Sequence, residues 1–451
     1  MIMPLRQEFE ELRSRRGLTL LESAMLKCRS TNPKIGVTVV GAGDAFINRY
    51  WPTLRKHVSN NKIVLSIADT KGLKALAADK VSDLRKSEEP GMNKVADKLQ
   101  EGYDQLGRFL DMDSDKAVQY FDLSTKEGLH RYQTLHLTDF VFVLVPDHIH
   151  LQEARKWLPR ATLVFVEKPY ASSIREAQEF ETEYEQLQSS AATSGGNAIV
   201  VPFDHYFAKL MPCIKILEGG ALRQIGELLS IDCVLTESRL PEAHRIETLR
   251  GGLMADLYPH ILAVLSVFTD LESIGHQKRN VQVATVKANP FPTETYARIE
   301  SRMRDYDGNS VNVKATLGKG IGEGESKHLI VKGSTGQLVI NFTPDRVLGE
   351  QPLASWIRGS DTPLTAQAVN DGKLCDLYSS GHAEFIEILL QGKYLDEPCG
   401  GLVRHQAELI MKELDALRDG VGKMRSLAEY EPKESVEQIA SKATLLPIMR
   451  N

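Results

Sequence analysis

At 451 residues the chain is too long for one small core, so two domains are the natural expectation. Its 42% hydrophobic and 25% charged content is that of an ordinary soluble globular protein, and a formal net charge of −5 argues against a nucleic-acid footprint. Five scattered cysteines with no C-x-x-C pair argue against a disulfide framework or a zinc site, and no apolar run is long enough to span a bilayer.

Residues 1–33 read as a helical extension. Phe9, Leu12, Leu18, Leu21, Ala24 and Met25 recur among charges at roughly helical spacing, and Asn32-Pro33 ends the run. Arg6, Glu8, Glu10, Glu11 and Arg13 exclude a secretory signal, and with the cysteine usage they point to a cytoplasmic protein. The extension is expected to pack on the domain surface or on a partner subunit.

Ile35–Val40 is a buried strand by its β-branched content, followed by Gly41-Ala-Gly43 and a helical stretch through Leu54. Such glycines permit a tight turn and close backbone approach to a pyrophosphate at a helix N-terminus. The third small residue of the usual pattern is absent, and Phe46 stands there. A second strand, Ile63–Ala68, ends in Asp69, where a ribose hydroxyl would be held. An acid there favours NAD, because a carboxylate repels a 2′-phosphate; Lys71 nearby keeps NADP open. Capping of the next helix is a compatible role for Asp69.

From Lys71 to Leu135 the chain is polar and helical, with extra helices expected between Ala75 and Leu110 and a short strand at Val118–Phe121. Two apolar runs follow, Phe140–Val145 and Leu163–Val166, flanking an amphipathic segment, the pattern of parallel strands joined by a crossover helix. Polar residues appear at their carboxyl ends: Pro146, His148 and His150 after the first, Glu167-Lys168-Pro169 after the second. Ligands of open α/β sheets bind at that edge. A sixth strand, Ala198–Val201, leads into Asp204-His-Tyr-Phe-Ala-Lys209, again at a strand end.

Beyond it the pattern changes. Helix 210–217 leads to alternating strands at Leu228–Leu235, Val281–Lys287, Ala297–Met303 and Val311–Leu317. A hairpin, His328–Lys332 and Leu338–Asn341, crosses Gly333-Ser-Thr-Gly336. This predicts a largely antiparallel sheet with one covered face. Helix Gly252–Phe268 interrupts it and places Asp256 and His260 on one face. The tail, 382–391 and 403–418, returns to helix. The expected fold is α/β: an N-terminal Rossmann domain over 34–203 and a C-terminal α/β domain over 204–451 with a largely antiparallel open sheet.

The chain resembles the glucose–fructose oxidoreductase / inositol dehydrogenase / rhizopine-catabolism (Gfo/Idh/MocA) family. The matching positions, in the family's order from 35 to about 342, are Gly41 and Gly43, Asp69, Pro146 with His150, Glu167-Lys168-Pro169, and Gly251-Gly252 with Asp256 and His260. The resemblance implies an NAD(P)-dependent oxidoreductase acting on a sugar, cyclitol or related polyol, and a homo-oligomer. It makes Lys168 the orienting lysine, Asp256 the substrate-side carboxylate and His260 the general acid/base, a role that suits a group titrating near neutrality. The plain alternatives are a satisfied core histidine at 260 and a helix-surface acid at 256. Phe46 and Tyr258-Pro259 depart from the family pattern, and Pro259 inside a helix predicts a kink or a late start.

The hexapeptide 204–209 is similar to the D-H-Y-L-G-K motif of glucose-6-phosphate dehydrogenases, which also carry E-K-P after a strand. That likeness implies substrate contacts at Asp204, His205, Tyr206 and Lys209, with Lys209 suited to a phosphate. A capped turn and a surface lysine are the plain alternative. The rival readings are a sugar-phosphate dehydrogenase and a non-catalytic dinucleotide-binding sensor; Lys168, Asp256 and His260 together favour an enzyme. No metal site and no membrane partner is expected.

Overall fold

The structure is a computed structural model. It describes residues 34–86, 92–112, 117–135, 138–191, 198–204, 206–207, 225–238, 240, 252–276, 279–287, 289, 293–322, 326–342, 354–358, 363–364, 386, 389–390, 404–424 and 426–446. The extension at 1–33, the helix at 210–217, and His205 and Lys209 lie outside the described residues.

Six strands form the first sheet: β1 (Ile35–Val40), β2 (Ile63–Asp69), β3 (Val118–Asp122), β4 (Thr138–Val143), β5 (Ala161–Glu167) and β6 (Ile199–Phe203). Their order is β3-β2-β1-β4-β5-β6, and every pairing is parallel. This is the doubly wound order, with a topological switch between β1 and β4. Helices α1 (Trp51–Ser59), α2 (Leu73–Arg85), α3 (Met92–Met112), α4 (Lys126–Gln133), α5 (His150–Trp157) and α6 (Ile174–Ala191) connect the strands. The long connection from β2 to β3 thus holds the extra helices its length requires.

The second sheet is mixed. It contains β7 (Leu228–Glu237), β8 (Thr269–Asp270), β9 (Asn280–Val286), β10 (Tyr296–Asp305), β11 (Ser310–Lys319) and β12 (Ser326–Gly333). It continues through β13 (Gly336–Asn341), β14 (Ala354–Arg358), β15 (Pro363–Leu364), β16 (Ala428–Tyr430) and β17 (Thr444–Leu446). The main path runs β15-β14-β13-β12-β7-β11-β10-β9-β16, with β17 on β9 and β8 on β10. Two pairings, β11 with β7 and β16 with β9, are parallel, and the others are antiparallel. The β12–β13 hairpin falls where the glycine-bounded turn predicts it.

Helix α7 (Gly252–Leu265) is buried at every position. Apolar residues surround it, as a helix packed on all sides requires. Helix α8 (Arg404–Gly422) closes against it and against α6: Asp415 Oδ2 accepts from Ile174 N at 2.7 Å, and Arg404 Nε donates to Glu181 Oε2 at 2.8 Å. A short helix, α9 (Val436–Lys442), lies between β16 and β17. One continuous apolar core runs from one face of the first sheet through α7 to the second sheet. The other face of the first sheet has its own core, which Ile386 and Leu389 join. No described helix is long and apolar enough to cross a membrane.

Candidate active site

The glycine turn sits at the carboxyl end of β1. Gly41 has φ +101°, and a Cβ there would lie 2.5 Å from Leu144 O, so only glycine fits. A Cβ on Gly43 meets nothing within 4 Å, so this position faces open space at the start of the following helix. Phe46 is fully buried beside Trp51, in a wide turn, 46–50, in which Trp51 N–H reaches back to Phe46 O. That turn gives way to α1 where Pro52 has no N–H to return. The bulky residue is thus accommodated by widening the helix start.

Asp69 closes the turn from β2: Oδ2 accepts from Ala42 N at 2.8 Å and Oδ1 from Lys71 N at 3.2 Å. The Lys71 ammonium is drawn to Asp79. An open backbone approach at Gly43, beside a carboxylate anchored to the turn, fits the pyrophosphate and ribose of a dinucleotide.

Pro146 precedes a single 3₁₀ turn that leads to α5. His150 is buried, and its two ring nitrogens lie 2.7 Å from Pro169 O and 2.7 Å from Val145 O. Burial lowers its pKa, with the two carbonyls opposing. It therefore joins the loop after β4 to the loop after β5. Glu167, also buried, accepts from Tyr50 OH at 2.7 Å, and burial raises its pKa.

Lys168 reaches from the end of β5 across to α7. Its Nζ donates to Asp256 O at 2.7 Å and to Asp256 Oδ1 at 2.9 Å. The Lys168–Pro169 peptide bond is cis. Asp256 meets a second lysine through its other oxygen, at 2.7 Å from Lys319 Nζ on β11. Glu237 at the end of β7 continues the chain of charges, 3.6 Å from Lys319 and 2.9 Å from Lys327. Burial would raise the Glu237 pKa, but Lys319 and Lys327 hold it down at about 2.

One turn beyond Asp256, His260 points at Asp204 of the first sheet's last strand end, with Nδ1 2.5 Å from Oδ2. Asp204 is fully buried, and its Oδ1 accepts from Tyr206 N at 2.8 Å and from Phe207 N at 3.2 Å. Although burial pushes its pKa up, His260, Lys168 and the backbone donors hold it below the usual carboxylate value. Burial lowers the His260 pKa to about 4, with Lys168 adding to that and Asp204 and Asp256 opposing. Burial thus acts to move His260 below the near-neutral titration expected of it. Tyr206 packs its ring on His260, centroids 4.5 Å apart, and burial raises its pKa to about 12.

Pro259 does not turn His260 away. The helix continues through it, and the amide it lacks is the one Ala255 O would have accepted. The next carbonyl, Asp256 O, takes the Lys168 ammonium. A small, largely apolar cavity lies against Lys168, Asp204 and Pro259, walled by Ala407 and Ile410 of α8.

The structure brings Lys168, Asp256, His260, Asp204 and Tyr206 to one junction between the sheets. Lys319, Glu237 and Lys327 belong to it and were missed. Each stands at a strand end or beside a turn, but a lysine in an alternating strand reads as an outward side chain, and no motif marked them. Asp204, expected as a substrate contact, is bonded to His260.

No protein-family model matches the chain, and no curated protein matches it in sequence. Solved structures do. A glucose-6-phosphate dehydrogenase in complex with glucose-6-phosphate superposes with TM-score 0.58 at 14% identity, covering 91% of this chain and 98% of that one. The WlbA dehydrogenase of Bordetella pertussis, solved with NADH and UDP-GlcNAcA, gives 0.52 at 15%, covering 87% and 97%. KijD10, a 3-ketoreductase of Actinomadura kijaniata solved with NADP and TDP-benzene, gives 0.54 at 15%, covering 86% and 98%. At such identities the likeness shows the fold: a doubly wound dinucleotide-type domain joined to a mixed sheet.

Proposed function

We propose that this chain is an NAD(P)-dependent oxidoreductase that moves a hydride to or from a carbinol or carbonyl carbon of a sugar-type substrate. The observation that carries the reading is the buried Asp204–His260 pair beside the Lys168–Asp256 pair, at the carboxyl edge of a doubly wound sheet. The solved structures it superposes on, crystallised with NADH, NADP or a sugar phosphate, support it.

On this reading residues 34–203 bind the dinucleotide, through Gly41, Gly43 and Asp69, with Pro146, His150 and Glu167 shaping the adjoining loops. Residues from 204 onward supply the substrate side. The nicotinamide supplies the hydride acceptor or donor. The ionised Asp204 accepts the Nδ1 proton of neutral His260, which fixes the tautomer with the lone pair on Nε2. Nε2 takes the hydroxyl proton in oxidation and returns it in reduction. The Lys168 ammonium, held by Asp256, stabilises the alkoxide character that develops on the substrate oxygen.

Three lysines, 168, 319 and 327, face two carboxylates, Asp256 and Glu237, in this network. Asp204, ionised at the same junction, balances the third lysine, so the reading of the substrate as a sugar phosphate rests on the hexapeptide 204–209; His205 and Lys209 are proposed as its further contacts. Thermal shift and turnover with paired phosphorylated and unphosphorylated sugars, with NADH and NADPH, test this. No stabilisation by either dinucleotide sinks the oxidoreductase reading, because a ligand of the native state must raise stability. Equal turnover of both sugar forms sinks the phosphate reading.

A further inference from the structure

Helix α7 starts against a buried carboxylate. Glu294 Oε1 accepts from Met254 N at 2.9 Å, and Glu294 O accepts from Leu253 N at 3.3 Å. Gly252, with φ +62°, makes room for it: a Cβ there would lie 2.7 Å from each carboxylate oxygen. The next residue grips another part of the site. Thr295 O accepts from Lys319 N at 2.8 Å. Thr295 Oγ1 accepts from Val286 N at 2.6 Å and donates to Tyr430 OH at 3.0 Å, and the Tyr430 hydroxyl donates to Lys319 O.

Two adjacent residues thus hold the first turn of the helix bearing Asp256 and His260 and the backbone of Lys319. Those two elements meet at the 2.7 Å contact between Asp256 and Lys319. We propose that the Glu294-Thr295 step is the positioning element of this site, setting α7 against β11 so that Asp256 meets Lys319 and His260 meets Asp204. The inference rests on reading Asp256 and His260 as site residues.

A carboxylate is a costly filler for this place. Glu294 is 2% exposed, and burial raises its pKa to about 7, while the backbone donors and Arg418 oppose. An apolar side chain would fill the volume without that penalty. What the carboxyl group adds is an oxygen acceptor for the orphan amides of a helix start, present whether or not the group is ionised. Glu294 touches none of the proposed reacting groups and acts through the helix.

The test is the His260 titration, read by imidazole nitrogen NMR on the full-length protein and assigned with a His260→Gln control. Glu294→Ala and Glu294→Asp, which withdraws the oxygen by one methylene, should loosen the start of α7 and admit water to His260. Its midpoint should then rise from about 4 toward the ordinary 6.5. A shift of about one pH unit or more is expected, since relief of burial is the main force on this group. Glu294→Gln keeps an acceptor for Met254 N and should restore the wild-type midpoint. An unchanged midpoint in a folded Ala or Asp variant overturns the proposal, as does a Gln variant that follows Ala. Should the Ala variant fail to fold, Asp decides. The titration needs neither cofactor nor substrate, so a wild-type protein that fails to bind NADH sinks the oxidoreductase reading separately.

Discussion

His260 Nδ1 lies 2.5 Å from Asp204 Oδ2, with the two side chains 3% and 0% exposed. The contact joins a helix packed on the second sheet to the last strand end of the first, across 56 residues of chain. It gives the imidazole one tautomer and one direction, which a lone buried histidine would lack.

Asp204→Asn tests that contact. An amide can present N–H to Nδ1 and move the imidazole proton to Nε2, where it blocks proton uptake. The rate should fall on the order of a hundredfold or more, the worth of a positioned proton carrier, with NADH affinity intact. Steady-state kinetics beside a fluorescence titration measure both. Wild-type kcat in Asp204→Asn would remove His260 from the role of base.

Burial of His260 also sets a stability slope. Its folded pKa of about 4 lies below the ordinary 6.5, so between these values the unfolded chain binds more protons than the folded one. This contribution is fully present above pH 6.5 and is lost as pH falls through 4. It amounts to roughly 3 kcal/mol. Glu294 and Glu413 act in the opposite sense: burial raises each from 4.5 to about 7, so their contribution is present below 4.5 and lost as pH rises through 7. Thermal melts from pH 4 to 7 should show His260→Gln losing less stability on acidification than wild type. Parallel curves would mean that His260 does not carry this slope.

The two turn glycines should fail differently. Gly41→Ala forces a side chain into Leu144 O and a left-handed φ, so it should lower the melting temperature and NADH affinity together. The Cβ of Gly43→Val meets nothing within 4 Å, so the variant should melt near wild type yet lose NADH, because the added side chain stands where the pyrophosphate approaches. A Gly43→Val variant that binds NADH normally would end the assignment of this turn as the cofactor site.

The six strands of the first sheet were legible because each is a short apolar run ended by polar residues, and their tips marked the ligand edge. Lys168, Asp256 and His260 were singled out through the family resemblance, and the fold brings them to one junction. What the sequence hid was pairing at a distance. Asp204 looked like part of a substrate hexapeptide because its partner lies 56 residues on. Nothing in the sequence marked Lys319, because Asp256 reaches it only after α7 folds onto the second sheet. Pro259 predicted a kink or a late helix start, whereas α7 begins at Gly252 and runs through it, buried at every position. Burial is likewise a property of the whole fold, so the displaced titration of His260 could not be read from its neighbours in sequence.

On the proposed reading, cofactor choice follows from Asp69. One of its oxygens is bonded to Ala42 N and the other to Lys71 N, so its charge is fixed at the turn where an adenosine ribose would lie. The ammonium of Lys71, two residues on, pairs with Asp79. Both partners of that pair are about half exposed, 52% and 53%, so solvent screens it and the lysine is only weakly restrained. NADH should therefore bind more tightly than NADPH, by roughly tenfold or more, as like charges near contact imply. Asp69→Ser should narrow the gap by removing the repelling charge. Asp79→Ala should narrow it too, by releasing Lys71 toward a 2′-phosphate, while Lys71→Ala should leave NADH affinity unchanged. Fluorescence titrations of the four proteins with both reduced cofactors measure all of this. Tighter binding of NADPH by the wild type would strip Asp69 of the ribose role and give Lys71 the deciding one.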